Sequence, residues 1–164
     1  MKKSAVLFLS FSFLYLMLAA CSSIDCPVDH TVMSNYSLLR ADQTTDTLKD
    51  TLTITSRRLN GTDTLLLNKG IGLSKLTLHV SYSNPEDTLF FKFRNTSYAA
   101  NDTVWLKKKS TPHFESVDCT SSFFHDVTAI RATHNAIDSV IINNPLIDYD
   151  PQKVHFRLYL KSRD

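Results

Sequence analysis

Lys75-Leu76-Thr77-Leu78-His79-Val80-Ser81-Tyr82 carries apolar side chains at every second position. Leu76, Leu78, Val80 and Tyr82 fall on one face, and Lys75, Thr77, His79 and Ser81 fall on the other. Strict period two belongs to a half-buried β-strand, whose successive side chains point to opposite faces. The pattern recurs in both directions along the chain. Leu52 and Ile54 alternate with Thr51, Thr53 and Thr55, Leu89 with Phe91 and Phe93 repeats it, and so does Val154, Phe156, Leu158, Leu160. Val104-Trp105-Leu106, Val127 to Ala132 and Val140 to Ile142 supply further short strands. Asn60-Gly61, Ser83-Asn84-Pro85 and Asn143-Asn144-Pro145 are the turns between them. Only Ser121 to His125 suggests a helical turn.

About eight short strands at this spacing predict an all-β fold, an antiparallel β-sandwich of immunoglobulin-like kind. The chain has 164 residues, 43% of them hydrophobic and 21% charged, with a net charge of +2. That length fits one domain, placed at residues 32–164, and the composition excludes wholesale disorder. The near-neutral balance argues against a nucleic-acid partner.

The N-terminus reads as an address. Met1-Lys2-Lys3 is basic and Ala5 to Ala20 is mostly apolar, too short to span a bilayer and built like a secretory signal peptide. Leu18-Ala19-Ala20-Cys21 resembles the lipobox of bacterial lipoproteins, in which Cys21 takes the lipid and residues 1–20 are removed. Residues 21–31 then form a lipidated linker. Acyl chains contribute about 0.8 kcal/mol per buried CH₂, so two or three of them anchor the chain in the outer-membrane lipid. Ser22 and Ser23 after the anchor, with no Asp directly following, resemble an outer-membrane destination, facing the periplasm. Cys26 and Cys119 remain as an even pair in an oxidising compartment. A disulfide between them would close a long loop, worth about 4–5 kcal/mol in the chain-entropy model.

Chemistry-bearing motifs are scarce. His30, His79, His113, His125, His134 and His155 show no paired metal-ligand spacing and are expected on polar strand faces or in loops. Asp148-Tyr149-Asp150 offers alternating oxygens but lacks the glycine and distal glutamate of a calcium loop. Lys107-Lys108-Lys109, beside Trp105, reads as a solvated strand end. No nucleophile elbow, phosphate loop or dinucleotide fingerprint occurs, and Glu86 and Glu115 are the only glutamates against 14 aspartates. The expectation is therefore no enzyme, no cofactor and no metal ligand set.

One pattern exceeds what composition accounts for: Asp, then Thr or Ser, then an aliphatic residue. It occurs at Asp46-Thr47-Leu48, Asp50-Thr51-Leu52, Asp63-Thr64-Leu65, Asp87-Thr88-Leu89, Asp102-Thr103-Val104 and Asp138-Ser139-Val140. The triplet resembles the O-glycosylation signal of secreted proteins in Bacteroides-like bacteria. That makes Thr47, Thr51, Thr64, Thr88, Thr103 and Ser139 candidate acceptors. The same triplet is also what a turn-closing Asp and a strand-opening Thr would produce.

Cys21-Ser22-Ser23-Ile24-Asp25-Cys26, the distal Cys119, Thr133-His134-Asn135-Ala136-Ile137-Asp138-Ser139-Val140 and Ile141-Ile142-Asn143-Asn144-Pro145 together resemble an uncharacterised family of small Bacteroides-type lipoproteins. Thr120 follows Cys119 where that family often has glycine. The resemblance implies an envelope location and this fold, and it transfers no catalytic residue. The expected function is a non-catalytic interaction module docking on another envelope protein, with Tyr98 and Trp105 as contact aromatics. The alternative is a module that binds envelope glycans or a metal ion.

Overall fold

The computed structural model describes residues 31–117 and 119–162. The signal segment 1–20, Cys21 and Cys26 lie outside them. Ten strands follow one another: β1 (Met33–Leu39), β2 (Thr51–Arg57), β3 (Asp63–Gly70), β4 (Lys75–His79), β5 (Glu86–Arg94), β6 (Ala99–His113), β7 (Ser122–Ala132), β8 (Ile137–Ile142), β9 (Leu146–Ile147) and β10 (Phe156–Leu160). They form two sheets, one ordered β4-β1-β10-β8 and the other β3-β2-β5-β6-β7-β9. Among the described residues there is no helix.

The period-two stripes close the two layers on each other. Tyr36, Leu38, Leu76, Leu78, Phe156 and Leu158 of the four-stranded sheet share one buried cluster with Leu52, Ile54, Leu89, Phe91, Phe93, Val104 and Leu106 of the six-stranded sheet. Burying each such side chain contributes about 1.5–3 kcal/mol. Alternation is what lets one strand feed this core and a wet face at once.

The all-β sandwich matches the sequence reading, and four details go beyond or against it. Among the ten strands, β1 pairs with β10 in parallel, Tyr36 opposite Phe156. A parallel neighbour needs a long crossover, and here almost the whole chain supplies it. Ser121 to His125 is no helical turn: Ser122 opens β7, paired with His113 at the end of β6. β4 stops at His79 instead of running to Tyr82, because the Ser81 N–H donates to Asp87 Oδ2 at 3.1 Å and leaves the ladder. Tyr82 then swings out and stacks on Phe123, ring centroids 4.9 Å apart.

The fourth detail is the lysine run. Lys108 is not solvated: it occupies the inward phase after Val104 and Leu106 and is buried. Lys107 and Lys109 on either side are exposed.

Candidate functional site

Three of the six aspartate triplets place their carboxylate inside the sandwich. Asp50, Asp87 and Asp102 each occupy the inward position one step before an apolar stripe, and all three are buried. A buried carboxylate is tolerated only when it is paired or hydrogen-bonded. Asp50 Oδ1 accepts from Asn95 Nδ2 at 2.6 Å. Asp102 accepts from the Thr133 hydroxyl at 2.7 Å and from the backbone N–H groups of Asn135, Ala136 and Ile137 at 2.8, 2.7 and 2.9 Å. Burial alone would raise its carboxyl, but these hydrogen bonds outweigh burial and hold it below the usual range. Asp102 thereby pins the segment that carries the chain from β7 in one sheet to β8 in the other.

Asp87 meets Lys108 at 2.9 Å, their side chains 3% and 0% exposed. Lys108 Nζ also donates to the Asn84 carbonyl at 2.8 Å. Burial pushes the Asp87 carboxyl up and the Lys108 ammonium down, and the attraction between them opposes both shifts. Beside the pair, the buried His125 shares a hydrogen bond with the Ser110 hydroxyl at 2.9 Å. This corrects the expectation that every histidine lies on a polar phase or in a loop. His155 is buried as well, its Nδ1 accepting from the Asn35 N–H at 3.0 Å. Shape and hydrogen bonding, rather than polarity alone, decided these two positions.

Burial, and then the charge of Lys108, lower His125 to about 4. The unfolded chain protonates this histidine near pH 6.5, whereas the folded chain resists until about pH 4. Stability should therefore be lost as pH falls between those values, by on the order of 2 kcal/mol once partial screening is allowed for. His155, lowered mainly by burial, acts in the same sense. Asp87, shifted upward, acts in the opposite sense at the acid end. Urea midpoints at pH 7 and pH 4.5 should differ clearly for the wild type and much less for His125→Gln. An unchanged pH slope in that variant would remove His125 from the account.

Hydroxyls of the triplets sort by where the strands put them. Thr51, Thr88 and Thr103 lie half-buried within paired strands, on faces opposite their buried aspartates. Thr64 is half-buried in β3 and accepts a hydrogen bond from Arg58 Nε. Ser139 is half-buried in β8. Thr47 alone among the six is exposed and outside a strand, beside Asp46, whose Oδ1 accepts from the Thr47 N–H at 2.8 Å.

The outer face of the six-stranded sheet is the best-formed surface for recognition. Directly opposed residues share a face, so the register lines up Thr88, Trp105 and Arg131 in one row and Thr55, Phe90 and Thr103 in the next. The Arg131 guanidinium lies 4.1 Å from the Trp105 ring centroid. Its Nη2 donates to Glu86 Oε1 at 3.0 Å. Arg57 lies 5.1 Å from the Phe90 ring centroid, and its Nε donates to Asp63 Oδ1 at 2.5 Å. Two arginines thus lie over two half-exposed rings, each paired with a carboxylate, which makes a patch of apolar rings and cationic groups.

Two other surfaces are formed. An open depression of about 620 Å³ is lined by Tyr98, Asn101, His134, Asn135 and Lys161. At the β6–β7 end, His113 stacks on Phe124 with centroids 4.1 Å apart, and Tyr149 meets Phe124 edge-on at 4.9 Å. Asp148 takes the Lys153 ammonium at 2.5 Å and the Asp150 N–H at 3.0 Å, so the Asp148-Tyr149-Asp150 turn is closed by its own groups. Among the described residues, no three His, Cys, Asp or Glu side chains gather into a group able to hold a metal ion. Cys119 is buried in the loop between β6 and β7. Its expected partner Cys26, like the lipidation position Cys21, lies outside the described residues.

Fold and face define a two-layer all-β sandwich with an aromatic and cationic outer sheet. The chain belongs to a family of unknown function (DUF6452), whose model matches residues 51–160. That match runs from the first residue of β2 to the last of β10, leaving outside it β1, which lies between β4 and β10. Comparisons with curated proteins and with solved structures give no match.

Proposed function

We propose that this protein is a lipid-anchored cell-envelope module of the Bacteroides-type lipoprotein kind, non-catalytic, docking on another envelope protein. Removal of residues 1–20 leaves Cys21 to carry the lipid, holding the domain at the outer membrane on its periplasmic side. A disulfide between Cys26 and Cys119 ties the linker to the β6–β7 loop, and the burial of Cys119 suits that role. Glycan addition belongs at Thr47, which is exposed and outside a strand, between half-buried Asp46 and buried Leu48. The other five candidates, Thr51, Thr64, Thr88, Thr103 and Ser139, are half-buried in strands.

The observation that carries the docking reading is Arg131 lying over Trp105 at 4.1 Å on the outer face. Trp and Arg dominate the binding energy of protein interfaces when they are held rigid and are then desolvated by a partner. Here the ring is already covered by a guanidinium, which favours a protein surface over a sugar ring that would need the open face. A glycan-binding reading finds its support elsewhere, in the depression of Tyr98, Asn101 and Lys161.

The test is affinity purification from native membranes after mild cross-linking, with a tag following Asp164. A single stoichiometric envelope protein is expected with the wild type. Trp105→Ala and Arg131→Ala should each lower its recovery by tenfold or more, since truncating a central Trp or Arg typically costs about 2 kcal/mol or more. Recovery of the protein alone would end this reading. The intact mass of the same material reports the acyl chains on Cys21 and any glycan.

A further inference from the structure

We propose that the β6–β7 end of the sandwich rests on the lipid surface, with Phe114 and Val117 entering the headgroup boundary; this rests on the lipid-anchor reading above. Phe114 is 64% exposed and Val117 97% exposed, both in the segment that joins β6 to β7. Two apolar side chains offered so fully to solvent on one loop call for an apolar neighbour.

Topology brings the anchored end of the chain to the same place. β1 begins with Met33 opposite His79, and β4 ends at His79 before the chain enters β5 at Glu86, opposite Lys107 of β6. Asn35 Nδ2 donates to the Pro151 and Lys153 carbonyls at 3.1 and 3.0 Å. Tyr149, in that same segment, packs against Phe124 and against His113, the last residue of β6. The domain's entry point and the Phe114 loop therefore lie toward the same end of the sandwich.

The point of entry then selects the face that meets the membrane. From Cys21 to Thr31 the backbone reaches at most about 36 Å. The 15 residues of β6 alone extend about 45 Å from this end to the other. The far end carries Ile71, which follows Gly70; Gly70 lies opposite Leu52, Leu52 opposite Phe93 and Phe93 opposite Ala100. The linker therefore leaves from the end that carries Phe114, opposite the end that carries Ile71, and the near end faces the bilayer. Residues 113–120 contain Glu115 and Asp118 and no Lys or Arg, so the contact rests on the apolar side chains and does not call on anionic lipid.

The experiment uses full-length protein purified from membranes and reconstituted into phosphatidylcholine vesicles with brominated acyl chains. Trp105 is the only tryptophan and sets the baseline emission. Phe114→Trp should add emission of which at least half is quenched by the bromolipid. Ile71→Trp, at a position 70% exposed on the far end, should add emission that is not quenched. Absence of added quenching in Phe114→Trp overturns the proposal, whether its emission stays solvent-like or shifts blue under the linker or a second copy. Equal quenching at both positions also overturns it. Intact mass separates the two levels: protein without acyl mass on Cys21 defeats the anchor reading itself, whereas acylated protein without quenching defeats only the orientation.

Discussion

Asp102→Ala should lower the stability of the sandwich by about 3–5 kcal/mol, a large part of the 5–15 kcal/mol typical of a domain. Alanine leaves the Thr133 hydroxyl and the N–H groups of Asn135, Ala136 and Ile137 without their acceptor. Ala136 and Ile137 are fully buried, so water cannot replace the carboxylate there. Each stranded donor costs about 1–3 kcal/mol, with some recovered by local relaxation. Asp102→Asn keeps one acceptor oxygen and should fall between alanine and wild type. The companion measurement is Asp138→Ala, a change in the same kind of triplet but at an exposed position, expected within about 0.5 kcal/mol of wild type. Urea denaturation of the three variants decides the matter. Similar losses at positions 102 and 138 would mean that the triplet, not the buried knot, carries the effect.

Lys108→Met should cost a comparable 3–5 kcal/mol, because it strands the buried Asp87 carboxylate. Most of that loss should return in the double variant Lys108→Met with Asp87→Asn. The amide carries no charge and still offers an oxygen to the Ser81 N–H. Replacing a buried pair by neutral groups of similar volume is often neutral or stabilising, whereas breaking one is not. A double-mutant cycle should therefore give a coupling of at least about 1 kcal/mol. Additive effects in that cycle would show that the two charges do not depend on each other.

Both residues were visible in the sequence to a reader who followed phase past the apolar stripe. Lys108 continues Val104 and Leu106 at period two, and Asp87 precedes Leu89, Phe91 and Phe93 in the same way. Local composition misleads there, since a run of three lysines looks wet. Phase is decided by the pleat, and the pleat does not change because a side chain is charged. Phase alone does not separate the aspartate triplets, because each Asp stands two positions before an aliphatic residue. Asp50, Asp87 and Asp102 are buried at the head of inward stripes, while Asp46, Asp63 and Asp138 are not.

The recognition face was legible only in part. Trp105 stands out as the one tryptophan, but Arg131 is 26 positions away and reaches its ring through the β6–β7 register. No periodicity within either strand reports that pairing. His125 and His155 were equally opaque, because their burial depends on Ser110 and Asn35 arriving from other strands.

By itself the sequence determined the class: alternating apolar positions require strands, and strands with one apolar face require a second sheet to cover it. It also marked the turns, since Asn, Pro and the glycine of Asn60-Gly61, at φ 81°, suit conformations that β-branched residues resist. Only the tertiary structure decided which strands neighbour one another, that β1 and β10 run parallel, and which aspartates become internal acceptors. Those outcomes depend on contacts between residues far apart in the chain. Such contacts are set by how two sheets pack as wholes, not by any local pattern.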